Sequence, residues 1–309
     1  MKHSLVNHFS LLFFQVLGIF ILCFFLIHLV PGDPVLVMLG ETASLADQDH
    51  LRAQLGLDKP LFDQLLITFK NILNGNLGYS FFYQQPVSHL IKGALINTYH
   101  LALVAIFITM VIGLSAGFYA AKNQNSWVDR CVSHTSVLFI SIPHFFLGPL
   151  LILFFSIFLG WLPVSGMESP VSIILPALTL AMGLIAITVK MTRNCMIELL
   201  ESDVARTARA KGLSEQQVLL RHVFRLVLMP IITILAMQFG SLLSGAVITE
   251  TIFSWNGLGK LLVDSIQSRD YPVTQACVLV IATSYVLINF LTEFIYRWAD
   301  PRVRTDAHE

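Results

Sequence analysis

The chain has 309 residues, of which 55% are hydrophobic and only 12% are charged. This composition excludes an ordinary soluble domain, in which about a quarter of the residues are charged, and it indicates a membrane protein. The formal net charge is zero, so the overall charge gives no reason to expect a nucleic acid or another polyanion as a partner.

The first predicted element is a membrane-spanning helix at residues 9–30, an apolar run without any charge. Its length is sufficient to cross a hydrocarbon core of about 30 Å. A signal peptide is the alternative, because Lys2 precedes the run and polar sequence follows it. The run is long for a signal peptide, and it ends at residues 31–34 (PGDP) without a small-x-small cleavage site. We therefore interpret it as a retained span.

Short helices are predicted in residues 31–97, the largest extramembrane segment. Ser44 has the position of a helix cap, and Gly56 closes that helix. Pro60 opens a second helix and Pro86 begins a third. We expect a small helical cap on the membrane part rather than an independent domain.

Five further apolar runs are predicted to span the membrane, so the fold class is an all-α integral membrane protein with six transmembrane helices. An extracytoplasmic helical segment follows the first of them. Prolines inside three spans are expected to bend those helices. The five runs are residues 98–121, 135–159, 172–191, 229–248 and 275–296, and the prolines are Pro143, Pro149, Pro176 and Pro230.

The basic residues orient these spans. If the N-terminus is cytoplasmic, 13 of the 19 Lys and Arg are cytoplasmic too, as the positive-inside rule requires. The short outer loops then contain only Lys260 and Arg269. We predict a multi-pass membrane protein with both termini in the cytoplasm.

Ionisable residues are nearly absent from the spans. Lys190 and Glu293 both lie near cytoplasmic ends. Ion-coupled carriers usually have an ionisable group at depth, which disfavours a secondary carrier that acts alone, and a membrane-embedded enzyme would need a buried acid–base pair. The chain has no G-x-x-x-x-G-K-[ST] nucleotide motif. We therefore expect the energy for any transport to come from another subunit.

Two histidines, His28 and His144, lie in or at the ends of spans. Neither has a second ligand three or four residues away, and the four cysteines lack metal-ligand spacing. We interpret the histidines as packing residues and expect no metal site.

The longest charged block, residues 201–230, lies between the fourth and fifth spans. Gly212 is expected to end a short helix, and Ser214 with Gln217 forms a capping box for a second one. Small alanines would let another backbone approach, and arginines can bind carboxylates bidentately. A solvated loop that only sets the topology is the alternative. The residues concerned are Ala205, Ala208, Ala210, Arg206, Arg209 and Lys211.

This block resembles the coupling loop of ABC importer permeases, whose pattern is Glu-Ala-Ala, three residues, then Gly. Residues 206–208 stand at the Glu-Ala-Ala positions, and RTARAKGL resembles the dipeptide/oligopeptide/nickel family in particular. The resemblance implies that loop 192–228 inserts a helix into a groove on an ATPase subunit. The coupling residues it implies are Ala205, Arg206, Thr207, Ala208, Arg209, Ala210, Lys211, Gly212 and Ser214.

The resemblance extends over nearly the whole chain. Its strongest second block is residues 245–272, in which Asn256 stands where a proline is usual. Further blocks are residues 31–34, 55–60, 78–80, 141–143, 161–163 and 300–302.

The resemblance implies a type I ABC importer permease fold with residues 1–30 as the first span, 31–97 as the extracytoplasmic segment and 98–309 as a five-helix permease core. The implied function is the translocation path for short peptides in a bacterial cytoplasmic (inner) membrane. A permease for nickel or a nickel chelate is the alternative within the family. The implied partners are a second homologous permease, two ATP-binding cassette subunits, an extracytoplasmic solute-binding protein and membrane lipid, but no nucleic acid. No cofactor belongs to this chain, since ATP and Mg²⁺ would bind the partner ATPases.

Small residues recur every four positions in two spans. In the second span, Gly113, Gly117 and Ala121 are expected to pack within the subunit. For the fifth span the resemblance implies a translocation path or a subunit interface, formed by Ala236, Gly240, Ser241, Ser244 and Gly245.

The outer loop after the fifth span is expected to turn tightly at two glycines, and the resemblance implies that it forms an outer gate where the binding protein docks. Its predicted residues are Glu250, Gly257, Gly259, Asp264, Arg269 and Asp270.

Overall fold

The computed structural model describes residues 2–29, 35, 44–80 and 82–299. The described part is almost entirely helical, which confirms the all-α fold class. Its only strands form a two-residue antiparallel hairpin, β1 (Tyr79–Ser80) with β2 (Gln85–Pro86). The helices are α1 (Lys2–Leu29), α2 (Leu45–Leu55), α3 (Leu61–Leu73), α4 (Val87–Lys122), α5 (Trp127–Ser141), α6 (His144–Leu151), α7 (Ile174–Glu201), α8 (Asp203–Ala210), α9 (Glu215–Gln217), α10 (Phe224–Ile252), α11 (Leu258–Gln267) and α12 (Tyr271–Ala299). A π-helical segment at Ile152–Phe158 follows α6, a 3-10 turn at Pro170–Ile173 precedes α7, and a second π-helical segment at Val218–Val223 joins α9 to α10.

Four helical stretches in the described residues are long and apolar enough to cross a membrane, and a bent pair makes a fifth if it is one span. Helix α1 has a shorter apolar stretch, Ser10–Phe25. The predicted count of six spans is therefore not confirmed. The four stretches are Val87–Lys122, Pro170–Glu201, Glu215–Gly240 and Tyr271–Thr292.

The short extramembrane helices form as local signals predict. The Ser44 hydroxyl accepts a hydrogen bond from the Asp47 N–H, and Gly56 ends α2 in the left-handed conformation, with φ of 69°. A helix does begin after Pro86, but the prediction that it is separate from the second span was wrong. The two form one continuous helix, the 36-residue α4, because no strong helix breaker follows Val87.

The third predicted span is broken by a proline. Ile142 has an extended backbone, as expected for a residue before proline, and Pro143 then caps α6. The two helical runs meet at 112°. Pro149 and Pro230 lie inside α6 and α10. Pro176 lies in the first turn of α7, where a missing N–H costs no helical hydrogen bond, so a bend there is not required.

The chain divides into two compact units. The first comprises Met1–Thr98 and Asn256–Val286, and the second comprises Tyr99–Trp255 and Leu287–Glu309. Each unit therefore combines segments that are distant in sequence. The linear division at residues 30 and 97 stays a prediction.

Helices α4 and α7 approach closely within the second unit. A Cβ on Gly117 would lie 2.6 Å from the Thr192 Cβ and 2.8 Å from the Val189 carbonyl oxygen, and a Cβ on Gly113 would lie 2.8 Å from the Thr188 Cβ. Only glycine permits this contact without a shift of either helix. The prediction that this stripe packs within the subunit is confirmed.

Candidate functional site

The 202–217 loop begins at Ser202, which alone separates α7 from α8. Its backbone is extended, with φ of −74° and ψ of 164°, and its hydroxyl donates a hydrogen bond of 2.6 Å to the Leu199 carbonyl. Because a single residue makes the turn, the position of α8 is set directly by the end of α7.

Local sequence signals define the other end of α8. Gly212 has φ of 77°, in the left-handed region that glycine adopts easily. Its N–H donates to the Arg209 carbonyl at 2.9 Å, and the Leu213 N–H donates to the Ala208 carbonyl at 3.4 Å. These two bonds are the pattern of a Schellman motif. The helix end predicted at Gly212 is confirmed.

The capping box at Ser214 is also present. The Ser214 side chain accepts a bond from the backbone of Gln217, and the Gln217 side chain accepts one from the Ser214 N–H at 3.1 Å. The helix it starts is not short, however. Helix α9 passes through the π-helical segment into α10, so the fifth span begins well before the predicted residue 229. The expectation of two short helices was therefore wrong for the second one.

Two of the loop's three alanines face inward. Ala205 and Ala208 are buried in an apolar cluster with Met196 of α7 and Val218 and Val223 of the π-helical segment. The expectation that all three alanines offer a low surface to another protein is corrected, because small side chains at this spacing bring α8 close to its own chain instead. Only Ala210 is exposed.

The outward face of α8 and its end is small, polar and basic. Its exposed residues include an ion pair within the helix: Arg206 Nη1 lies 3.4 Å from Asp203 Oδ1, and these side chains are 79% and 92% exposed. Such a pair is screened by water and is weak. The other exposed residues of α8 and its end are Val204, Thr207, Arg209, Ala210, Lys211 and Gly212.

Arg209 has a different role from Arg206. Its Nε and Nη2 donate to the two carboxylate oxygens of Glu215, at 2.7 and 3.3 Å, and its Nη1 donates to the Leu200 carbonyl at 3.1 Å. The hydrogen bonds to the Glu215 carboxylate raise the pKa of the Arg209 guanidinium. One side chain thus joins α7, α8 and α9.

A third ion pair, which the sequence analysis missed, holds α5 to α7. Arg193 donates from Nε and Nη2 to the two oxygens of Asp129, the latter bond being 2.8 Å, and Asp129 is buried. Asp129 also accepts from the Asn125 N–H at 3.0 Å. The two partners are 64 residues apart, and no local sequence pattern connects them.

In the outer segment after α10, the turn does not lie at the predicted glycines. Gly257 has φ of −100° and ψ of −177°, an extended backbone open to any residue, whereas Ser254 has φ of 50°. Side chains of α4 fix the segment: Asn97 donates to the Asn256 carbonyl at 2.7 Å, and the Leu258 N–H donates to the Thr98 hydroxyl at 2.8 Å. The expected tight turn at the glycines was wrong.

The charged residues of the outer segment are mostly internal. Glu250 lies within α10, because that helix extends to Ile252, and its side chain is fully buried. Asp270 is also buried; it accepts from the Ser80 hydroxyl at 2.5 Å and from the Val273 N–H at 3.5 Å. These partners give Asp270 the role of N-cap for α12.

The remaining predicted residues of this segment differ in exposure. Asp264 Oδ2 accepts from Lys260 Nζ at 2.5 Å, and both glycines are buried. Of the predicted docking residues, only Arg269 is exposed. Burial raises the pKa of the Tyr83 phenol in the same unit, and the charges of Asp264 and Asp270 raise it further.

In the fifth span, the Ala236 carbonyl accepts a bond from the Thr292 hydroxyl at 3.2 Å, and Gly240 is buried. This edge of α10 is therefore in contact with α12 of the same chain. The structure does not describe the side chains of Ser241 and Ser244 or the exposure of Gly245. The side chains of His28, His144 and Glu293 also lie outside the description.

These features define the class of protein: a multi-pass helical membrane subunit with a compact loop that ends in a capping box. The protein family described as "binding-protein-dependent transport system inner membrane component" matches residues 113–305, and the family of its N-terminal part matches residues 1–102. The chain belongs to this family, the ABC importer permeases of the peptide/nickel type. It is a permease component of an ABC importer, and ATPase and binding-protein partners follow in general terms.

Individual relatives agree with this family. The glutathione transport system permease protein GsiC of Escherichia coli O6:H1 is 40% identical over 284 residues, which cover 92% of this chain and 93% of that protein. GsiC of Pectobacterium atrosepticum is 40% identical over 289 residues, 94% of each chain.

Solved structures match the fold. The MetNI methionine ABC transporter matches with a TM-score of 0.57 at 21% identity, covering 68% of this chain and 96% of that one. An amino acid ABC transporter matches with a TM-score of 0.53 at 18% identity, covering 68% and 94%. The type I importer permease fold is thereby identified.

Proposed function

We propose that this chain lines the translocation path for short peptides, with glutathione as the first solute to test. The observation that supports this most is the 40% identity, over nearly the full length, to permeases named for glutathione transport. Glutathione is itself a tripeptide, so these names fit the peptide side of the family. Nickel or a nickel chelate is the alternative solute within it.

The assembly we propose has this permease beside a second, homologous permease, with two ATPase subunits and one extracytoplasmic binding protein. Both termini and the 202–217 loop are in the cytoplasm, which the excess of basic residues there supports. An ATPase can reach the loop only from that side.

The solute is tested by uptake in a strain that lacks this gene, with labelled glutathione, a labelled dipeptide and labelled nickel measured in parallel. The proposal predicts loss of peptide uptake with nickel uptake intact, and restoration by the wild-type gene. Loss of nickel uptake alone would contradict it and would favour the nickel alternative.

In the proposed mechanism the binding protein delivers the solute to the outer face, ATP binding closes the ATPase subunits, and α8 transmits that motion to the spans. Gly212→Pro is the sharpest disruption, because proline fixes φ near −65° whereas Gly212 has φ of 77°. ATP-dependent uptake should be abolished while the chain still inserts in the membrane. Uptake equal to wild type would contradict a coupling role for the loop.

A further inference from the structure

Two arginines lie three residues apart in the eight-residue α8, and both are exposed, but they make different contacts. Arg206 points its guanidinium to water, and within the described part of the chain its ion pair is with Asp203 of its own first turn. Arg209 makes three hydrogen bonds to groups outside α8, two to Glu215 and one to the Leu200 carbonyl. We propose that Arg209 is a positioning residue, which fixes α8 to the spans on both sides, whereas Arg206 is left for contact with the ATPase.

The need for such a residue follows from the size of α8. A helix of eight residues is not stable by itself in water, because nucleation is costly and few backbone bonds repay it. Its buried contacts with the rest of the chain come from Ala205 and Ala208, whose methyl groups offer little surface. Small side chains also permit sliding, since they do not interlock. A bidentate ion pair adds the directional constraint that methyl groups lack.

The partners of Arg209 make this constraint useful. Leu200 belongs to the last turn of α7, and Glu215 is the first residue of α9, which is continuous with α10 through the π-helical segment. A force on α8 would therefore reach the fourth and fifth spans through one side chain. The Schellman turn at Gly212 keeps the covalent path between Arg209 and Glu215 short.

The outward face indicates the chemistry of the partner. Arg206 and Lys211 are exposed cations, with Val204, Thr207 and Ala210 as small exposed neighbours. An acidic groove that accepts small side chains fits this face. The inference rests on the proposed coupling function, which it deepens by separating contact from positioning.

A double-mutant cycle on the intact transporter tests the positioning role. Arg209→Gln and Glu215→Gln should each lower uptake of the solute about 5- to 10-fold at equal amounts of chain in the membrane, the lower end of the usual range of coupling between sites. The double variant should be no worse than either single variant, because both remove the same constraint. Arg209→Lys keeps the charge and one of the bonds, so its uptake should be intermediate.

Arg206→Gln is the matched contrast. It should lower the affinity for the ATPase, so raising the amount of ATPase subunits should restore its uptake by mass action. The same treatment should not restore Arg209→Gln, whose ATPase is bound but badly placed. Rescue of uptake by extra ATPase separates the contact role from the positioning role. The amount of chain inserted in the membrane shows whether a variant has simply failed to fold.

Three results would overturn the proposal: losses that multiply in the double variant, rescue of Arg209→Gln by extra ATPase, or wild-type uptake in Arg209→Gln and Glu215→Gln. Failure of the proposed function itself is distinguishable, because wild-type uptake would then be independent of the ATPase subunits.

Discussion

The 202–217 loop and the 250–272 outer segment are both charged and both lie at ends of spans, but Arg206 of the loop and two carboxylates of the outer segment have opposite exposure. In the loop, the Arg206 side chain is 79% exposed, and the charged side chains of its first turn face water. In the outer segment, Glu250 and Asp270 are 0% and 6% exposed. On the outward face of α8 the charges lie in water, whereas these two carboxylates of the outer segment are enclosed by the protein.

This difference teaches that mutation of a charged residue has different consequences in two segments that both contain charges. Removing a buried, hydrogen-bonded carboxylate leaves polar groups unsatisfied and costs stability. Removing an exposed charge leaves the fold intact and changes only what the surface can bind. Substitutions in the outer segment should therefore lower the stability of the chain, and those on the loop's outward face should lower coupling.

The largest effect is expected for Asp270→Ala. It removes the cap of α12 and the acceptor of the buried Ser80 hydroxyl, so the free energy of unfolding should fall by about 2–4 kcal/mol. Thermal unfolding of the purified transporter measures this. The control is Arg269→Asn next to it, since Arg269 is exposed and asparagine tolerates its φ of 54°. Equal stability of both variants would contradict the internal role of Asp270.

Thr98→Val should cost about 1–3 kcal/mol, because the buried Leu258 N–H loses its acceptor while the side-chain volume is kept. Thr98→Ser, which keeps the hydroxyl, should cost less. The unfolding temperatures of the two variants are compared directly. A larger loss for serine than for valine would show that packing, not the hydrogen bond, fixes the segment.

Gly212→Ala tests the turn of the loop at a smaller scale. No atom lies within 4 Å of a Cβ placed there, so the cost comes only from the backbone at φ of 77°, about 1 kcal/mol. We expect a modest loss of uptake, and a smaller one for Gly212→Asn. Uptake and membrane abundance are measured together, and a fall in abundance alone would contradict a coupling defect.

The smallest effect on stability is expected for Lys211→Gln, within about 0.5 kcal/mol, because an exposed side chain is replaced by one of similar length. Its effect should instead appear as release of the ATPase at lower salt than in wild type, since surface attraction is screened by ions. A salt titration of the purified complex reports it. Unchanged release would remove Lys211 from the contact face.

The sequence predicted the features that depend on neighbouring residues. Gly212, Gly56 and the Ser214 capping box follow from backbone conformation and from side chains three residues away, and each is where it was expected. Helix lengths were predicted less well: the helix that begins after Pro86 continues without a break into the second span, and the fifth span begins inside the loop.

Burial of charge could not be predicted, because it depends on residues distant in sequence. Asp270 accepts a hydrogen bond from the Ser80 hydroxyl, 190 residues earlier, and Arg193 binds Asp129 across 64 residues. Glu250 was placed in an outer loop since its helix was expected to end at residue 248, whereas the helix continues to Ile252. Hydropathy counts a charge but does not indicate what it contacts.

The measurement that tests this account most directly is maleimide labelling of cysteines introduced one at a time in α8, with Cys131 and Cys195 replaced by serine and the buried Cys23 and Cys277 kept. Thr207→Cys is on the exposed face and Ala208→Cys is on the buried one. The account predicts rapid labelling of residue 207 in the permease without its ATPase, strong protection in the full transporter, and slow labelling of residue 208 in both. Equal labelling of residue 207 with and without the ATPase would contradict it.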